Sequence, residues 1–166
     1  MEKEIAFSVG RNRNVVWSRY LSDRKIRIDD GLIDSLSRGE YALPISDLLS
    51  DLSSHGGKYS VIDLRTPEEY GTSAHFASGS NVEYRKIMND EVVFDPAKTY
   101  VTVCHDGAFD LSRSLVAAIY LRGKGIRAYA LDTGMKPLLD SFSVAPISFR
   151  TKPPFAVWEK GDAVPR

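Results

Sequence analysis

The chain of 166 residues contains one cysteine, Cys104, so it cannot close a disulfide within itself, and nothing points to an oxidising compartment. Histidine is also scarce: His55, His75 and His105 are dispersed, and with a single cysteine they form no metal site at a recognised ligand spacing. No charge excess is present, because 22 Lys and Arg balance 22 Asp and Glu. A dedicated nucleic-acid or membrane-surface binder rests on a basic surplus, so neither partner is expected. The one local bias is seven basic against three acidic side chains in residues 1–28, which a solvated face or docking surface explains. No apolar run approaches the ~20 residues that span a bilayer. The opening MEKEIAFSVGRNRN holds acidic residues and no apolar core of a signal peptide, so a cytoplasmic location is expected. No repeat or low-complexity tract is visible. What remains, 43% hydrophobic and 27% charged, is the composition of an ordinary globular domain with extensions.

Three segments differ in pattern. Residues 1–43 read as an N-terminal extension of short strands and a helix. Ile5–Val9 and Val15–Trp17 flank a hairpin-like loop, Lys25–Ile28 alternates, and Leu32, Ile33 and Leu36 have helical spacing before Gly39. Residues 44–140 carry the strongest signals. Ile45, Leu48, Leu49 and Leu52 mark one face of a short helix, with Ser46 as its candidate cap. Tyr59–Leu64 suits a buried strand. Thr66-Pro67-Glu68-Glu69 is a capping box with proline at N1, a specific helix start. Val101–Val103 and Ile126–Leu131 read as further strands around a helix that is apolar nearly all round. Strands alternating with helices imply a parallel sheet covered on both faces. Residues 141–166, with Pro146, Pro153, Pro154, Pro165, Phe149, Phe155 and Trp158, read as an extended tail packed on the domain or on a partner.

Against this background the lone cysteine stands out. Cys104 ends the run Tyr100-Val101-Thr102-Val103 and opens the loop His105-Asp106-Gly107-Ala108-Phe109, after which an apolar helix follows. Strand, cysteine loop and helix present a thiolate to backbone N–H groups and to the positive end of a helix. In parallel sheets, sites lie outside the carboxyl ends of the strands. A lone cysteine elsewhere would be a small buried hydrophobe; here a functional thiol is expected. His105 adjoins the thiol and titrates near neutrality. Asp63 and Arg65, at the end of the preceding core strand, are expected to form a structural ion pair. His75 is expected to pack or hydrogen-bond rather than to act as an acid or base, and His55 to be exposed.

In order along the chain, these segments resemble the rhodanese-like (sulfurtransferase) domain family. Asp63-Leu64-Arg65-Thr66-Pro67-Glu68-Glu69-Tyr70 resembles its first hallmark. His75 with Asn81, Cys104 with Gly107, Arg113-Ser114 with Ala117-Ala118 and Leu121, and Leu131-Asp132-Thr133-Gly134-Met135 resemble the following ones. The resemblance covers about 97 of the 166 residues, 44–140. It implies a three-layer α/β fold, a central mostly parallel sheet of about five strands with helices on both faces. It also implies a catalytic Cys104 that carries a sulfane sulfur as a persulfide without any cofactor. Loop amides of His105 to Phe109 would cradle the persulfide, and Arg113 would add positive charge.

The chain departs from the family at several places. Phe109 stands where an arginine often lies five residues after the cysteine. Ala74 and Leu138 stand where glycine and tryptophan are common. The span from Cys104 to Gly125 is about four residues longer than the common pattern. Asp110 is a candidate N-cap for a helix from Leu111, so the additional residues are expected to lengthen the helix rather than the loop. Asp106 and Asp110 near the thiol argue against efficient turnover of the anionic donor thiosulfate.

Three functions are weighed. The first is a sulfurtransferase or persulfide carrier with a small-molecule sulfur donor and a thiol or cyanide acceptor. The second is a non-catalytic rhodanese-like module that binds a protein partner through residues 1–43 or 141–166. The third and weakest is a cysteine-dependent phosphatase. Such enzymes clamp phosphate with an arginine six residues after the cysteine, and here that position is Asp110.

Overall fold

The computed structural model describes residues 26, 29–54, 57–73, 75–107 and 112–136, with the backbone of residues 155–156. The readings of strands at 5–9 and 15–17, of His55, of Ala108, Phe109 and Asp110 in the loop, and of most of the tail lie outside the described residues.

Asp29 opens helix α1 (Asp30–Ser37), its carboxylate accepting the Leu32 N–H at 2.9 Å, and Gly39 follows the helix with φ +70°. Strand β1 (Ala42–Leu43) leads at once into α2 (Ile45–Ser53). Ser46 does not cap α2. Pro44 occupies the N-cap without a side-chain bond, and the Ile45 N–H donates to Asp132 Oδ1 at 2.9 Å instead. A carboxylate 87 residues away thus does the work expected of a local serine.

Strand β2 (Tyr59–Asp63) is followed by α3 (Pro67–Gly71), whose capping box is complete: Thr66 Oγ1 accepts the Glu69 N–H, and the Thr66 N–H donates to Glu69 Oε2 at 2.7 Å. Then come β3 (His75–Phe76), β4 (Ser80–Asn81), α4 (Tyr84–Met88), β5 (Thr99–Val103), α5 (Arg113–Gly123) and β6 (Arg127–Leu131). A short strand β7 (Phe155–Ala156) pairs antiparallel with β3.

The main sheet has five strands in the order β1-β6-β5-β2-β4, every neighbouring pair parallel. Ala42 and Leu43, expected in the N-terminal extension, are instead an edge strand of this sheet, in register with Ala130 and Leu131. A two-residue strand shows no periodicity, so the pattern could not reveal it.

Alternation sends the strand residues to two cores. Val61, Val101, Val103 and Leu131 meet Leu48 of α2, with Leu43, Phe76 and Met135. Ile62, Tyr100, Cys104, Ala128 and Ala130 meet α5, with Leu32 and Leu36 of α1 and Ile87 of α4. The result is the expected three-layer α/β arrangement. Helix α5 is buried from Ser114 to Leu121, consistent with its all-round apolar sequence. No helix among the described residues is long and apolar enough to cross a membrane.

From β2 the chain moves outward to β4; from β5 it moves the other way to β6. The strand order therefore reverses between β2 and β5. In a parallel sheet, that reversal opens a crevice at the carboxyl ends of the two strands. Residues 63–65 and Cys104 stand there.

Candidate functional site

The end of β2 is closed by a buried ion pair. Arg65 donates from Nε to Asp63 Oδ1 at 2.9 Å and from Nη2 to Asp63 Oδ2 at 2.7 Å, and both side chains are almost fully buried. Two charges removed from water need further bonds to be tolerated, and these are present. Arg65 Nη1 donates to Ser73 Oγ at 2.7 Å, and Ser73 in turn donates to the Glu69 carbonyl. Asn81 Nδ2 donates to the carbonyls of both Asp63 and Arg65. The His75 ring stacks on Tyr70 with centroids 4.0 Å apart, and its Nδ1 bonds the Phe76 carbonyl. Burial pushes the His75 imidazole below its ordinary pKa, so it is held neutral. These residues are organised as a frame around the β2 end.

Cys104 follows β5 directly and is 1% exposed. Its S–H donates to the Asp106 carbonyl at 2.9 Å, and its sulfur lies 3.3 Å from Ser114 Oγ. Ser114 Oγ is 3.4 Å from Ser112 Oγ. Both serines are buried. The loop is clasped from outside by the turn after β6. The Met135 N–H donates to the Cys104 carbonyl at 2.9 Å, and the Lys136 N–H to the His105 carbonyl at 3.0 Å. The approach is so close that a Cβ on Gly134 would lie 2.3 Å from the Asp106 carbonyl carbon and 2.4 Å from the His105 oxygen. Only a hydrogen fits at that position. Gly107 is buried, His105 half-buried and Asp106 exposed.

Helix α5 begins at Arg113, not Leu111. Ser112 is its N-cap, with ψ 144° and its hydroxyl accepting the Leu115 N–H at 3.3 Å. The extended backbone at Ser112 stops the helix from reaching back toward Asp110. Ser112 therefore takes the capping place expected of Asp110, and the expected helix start at Leu111 is corrected to Arg113. The N–H groups of Arg113 and Ser114 open the helix without intrahelical acceptors, and the Ser114 side chain in this first turn reaches the sulfur.

Arg113 is not aimed at the sulfur. Its guanidinium forms a two-pronged pair with Glu69, at 3.1 and 3.2 Å. That hydrogen bond, with the Thr66 N–H, lowers the Glu69 carboxyl to a pKa of about 2. Burial opposes the Arg113 charge, but the Glu69 carboxylate outweighs it, with weaker help from the neighbouring Cys104 and Asp106 charges. One carboxylate thus caps α3 and anchors the first residue of α5.

The structure brings Cys104, His105, Asp106, Gly107 and Arg113 to one strand end, with Asp63 and Arg65 at the neighbouring strand end. Sequence reasoning did not reach the roles of Ser112, Ser114 and Gly134 around the sulfur and its loop. The available signals were the Arg113-Ser114 pair at the head of the helix and Gly134 in the turn after the last strand.

Fold and site together define a parallel α/β domain with a cysteine loop at its topological switch point. The sequence matches no protein-family model and no curated protein significantly. Its structure matches solved ones. A protein from Lactobacillus plantarum is similar at 23% identity and TM-score 0.53, over 66% of this chain and 91% of that one. A rhodanese-related protein from Thermoplasma volcanium is similar at 20% identity and TM-score 0.51, over 60% and 91%. A protein of unknown function from Rhodopseudomonas palustris, named a possible tyrosine phosphatase, is similar at 16% identity and TM-score 0.52, over 81% and 93%. The domain has the rhodanese-like fold.

Proposed function

We propose that the protein is a sulfane-sulfur carrier of the rhodanese-like kind, with Cys104 as its nucleophile. The observation that carries this reading is the placement of the sulfur. It sits at the carboxyl end of the central strand, at the switch point, 3.3 Å from the Ser114 hydroxyl in the first turn of α5. A thiolate there is stabilised by the helix end without a metal. In the reaction, Cys104 first releases its proton to solvent. The thiolate then attacks the outer sulfur of a donor, a Cys–S–S bond forms, and the donor's S–S bond breaks with the electron pair leaving on its remaining fragment. An acceptor thiolate or cyanide then takes the outer sulfur and returns Cys104 to the thiolate. The Asp106 carbonyl facing the sulfur and the Arg113 charge held by Glu69 favour a singly charged or neutral persulfide donor over doubly charged thiosulfate.

The test is intact-protein mass after incubation with a persulfide donor, and separately with thiosulfate. The expected result is a gain of one sulfur atom, removed by cyanide and absent from Cys104→Ala. A second reading, a non-catalytic module, has its own support: the sulfur is closed from solvent and its proton is held by the Asp106 carbonyl. No mass gain from any donor, with alkylation only after denaturation, would select that second reading.

A further inference from the structure

We infer that Ser114 is a catalytic residue, the hydroxyl that holds Cys104 in its ionised form, with Ser112 positioning it. The argument is one of donors and acceptors. A thiol has a single proton, and the Asp106 carbonyl can only accept, so in the closed state the S–H points at Asp106. When that proton leaves, the carbonyl oxygen 2.9 Å away faces a thiolate, and the contact turns from favourable to repulsive. Among the described side chains, Ser114 Oγ at 3.3 Å is the hydroxyl within reach of the sulfur, and it can rotate its proton toward it. A hydrogen bond to an ionised acceptor is about twice as strong as a neutral one.

Ser112 completes the chain. Its oxygen accepts the Leu115 N–H, which leaves its own proton free to point at Ser114 Oγ, 3.4 Å away. Ser112 to Ser114 to Cys104 is then a line of donors ending on the sulfur, each polarising the next. Ser114 itself is fixed by its place in the first turn of α5 and by its carbonyl, which accepts from Thr102 Oγ1 at 2.8 Å. Both serines are buried, so water does not compete for these hydroxyls. The inference deepens the carrier reading by naming what prepares its nucleophile, but ionisation of the thiol can be read with no sulfur donor present.

Among the described residues, the ionisable groups around the sulfur are His105 and Asp106 on its own loop, Arg113 from α5 with Glu69 of α3 behind it, and the Asp63–Arg65 pair from β2. His105 is an ionisable neighbour of the sulfur on the same loop, so His105→Gln is the background for every measurement. The experiment follows Cys104 thiolate from pH 6 to 10 by absorbance at 240 nm, with Cys104→Ala as blank, and in parallel by the rate of alkylation with iodoacetamide. Ser114→Ala is expected to lower the thiolate fraction and the alkylation rate at pH 7 by about tenfold, with both converging on the parent at pH 10. Ser114→Thr, which restores the hydroxyl, is expected to recover most of the loss. An unchanged pH profile in a folded Ser114→Ala protein overturns the inference, as does a rate lowered equally at all pH values, which reports access rather than ionisation. If sulfur loading fails while the Ser114-dependent profile holds, the carrier reading falls and the inference stands. Loading that proceeds normally in Ser114→Ala with an unchanged profile gives the reverse.

Discussion

Two neighbouring strand ends of one sheet are built in opposite ways. At the end of β2, the buried charges of Asp63 and Arg65 bond to each other and to Ser73, and Asn81 holds the backbone carbonyls of both. At the end of β5, the Cys104 sulfur has, among the described residues, one acceptor in the Asp106 carbonyl and one hydroxyl in Ser114, and the choice between them depends on a proton. The first has one good arrangement; the second has two. A reactive group needs the second kind of surroundings, and it needs the first kind next door so that its alternatives stay few.

The largest expected effect breaks the rigid end. Arg65→Ala leaves Asp63 buried without its partner and is expected to cost about 3–5 kcal/mol in chemical denaturation. Replacing both residues, Asp63→Leu with Arg65→Met, is expected to recover much of that loss, because no charge is then stranded. If the double variant is as unstable as the single one, the frame is held by shape rather than by charge.

Gly134→Ala acts on the other end. Its added methyl meets the Asp106 and His105 backbone, so a cost of about 1–3 kcal/mol is expected, together with faster alkylation of Cys104 as the loop is displaced. A melting temperature equal to that of the parent would show that the turn gives way instead of the loop.

Glu69→Gln joins the two regions. With 38% of the Glu69 side chain exposed, solvent screening limits the loss to about 1 kcal/mol. The sign with pH follows from the lowered carboxyl. Its contribution is present above about pH 4.5 and is lost as the pH falls toward about 2. An acid titration of stability should therefore be shallower in the variant over that window.

The smallest effect concerns His75. Its pKa is lowered by burial, so the neutral ring's contribution is complete above pH 6.5 and declines as the pH falls below it. The difference in melting temperature between the parent and His75→Phe should shrink on acidification through that range.

How much of this was legible depended on distance along the chain. The Thr66–Glu69 box was readable because donor and acceptor lie three residues apart. The apolar girth of α5 was readable because burial on all sides leaves a compositional mark. The start of α5 was misplaced because Asp110 and Ser112 are equally good caps on paper, and only the backbone at Ser112 decides between them. The Asp132 cap on α2, the Glu69–Arg113 pair and the reach of Gly134 to the loop join residues 87, 44 and 28 apart, and no local pattern encodes such partners. Ser114 was visible as a residue of the helix, but not as a neighbour of the sulfur.

The all-parallel sheet has a consequence for the order in which the molecule assembles. β5 has no hairpin partner: it pairs with β2, about 40 residues earlier, and with β6, 28 residues later. Pairings of this span close late, because loop entropy is lost before the contacts that reward it exist. The cradle of Cys104 needs still more, the turn at residues 134–136 that follows β6. During synthesis the thiol emerges before Ser114, β6 and the turn at residues 134–136, which complete its enclosure. For that interval it is a sulfhydryl at the end of an apolar strand that still lacks β6, open on that side to oxidants and to other chains.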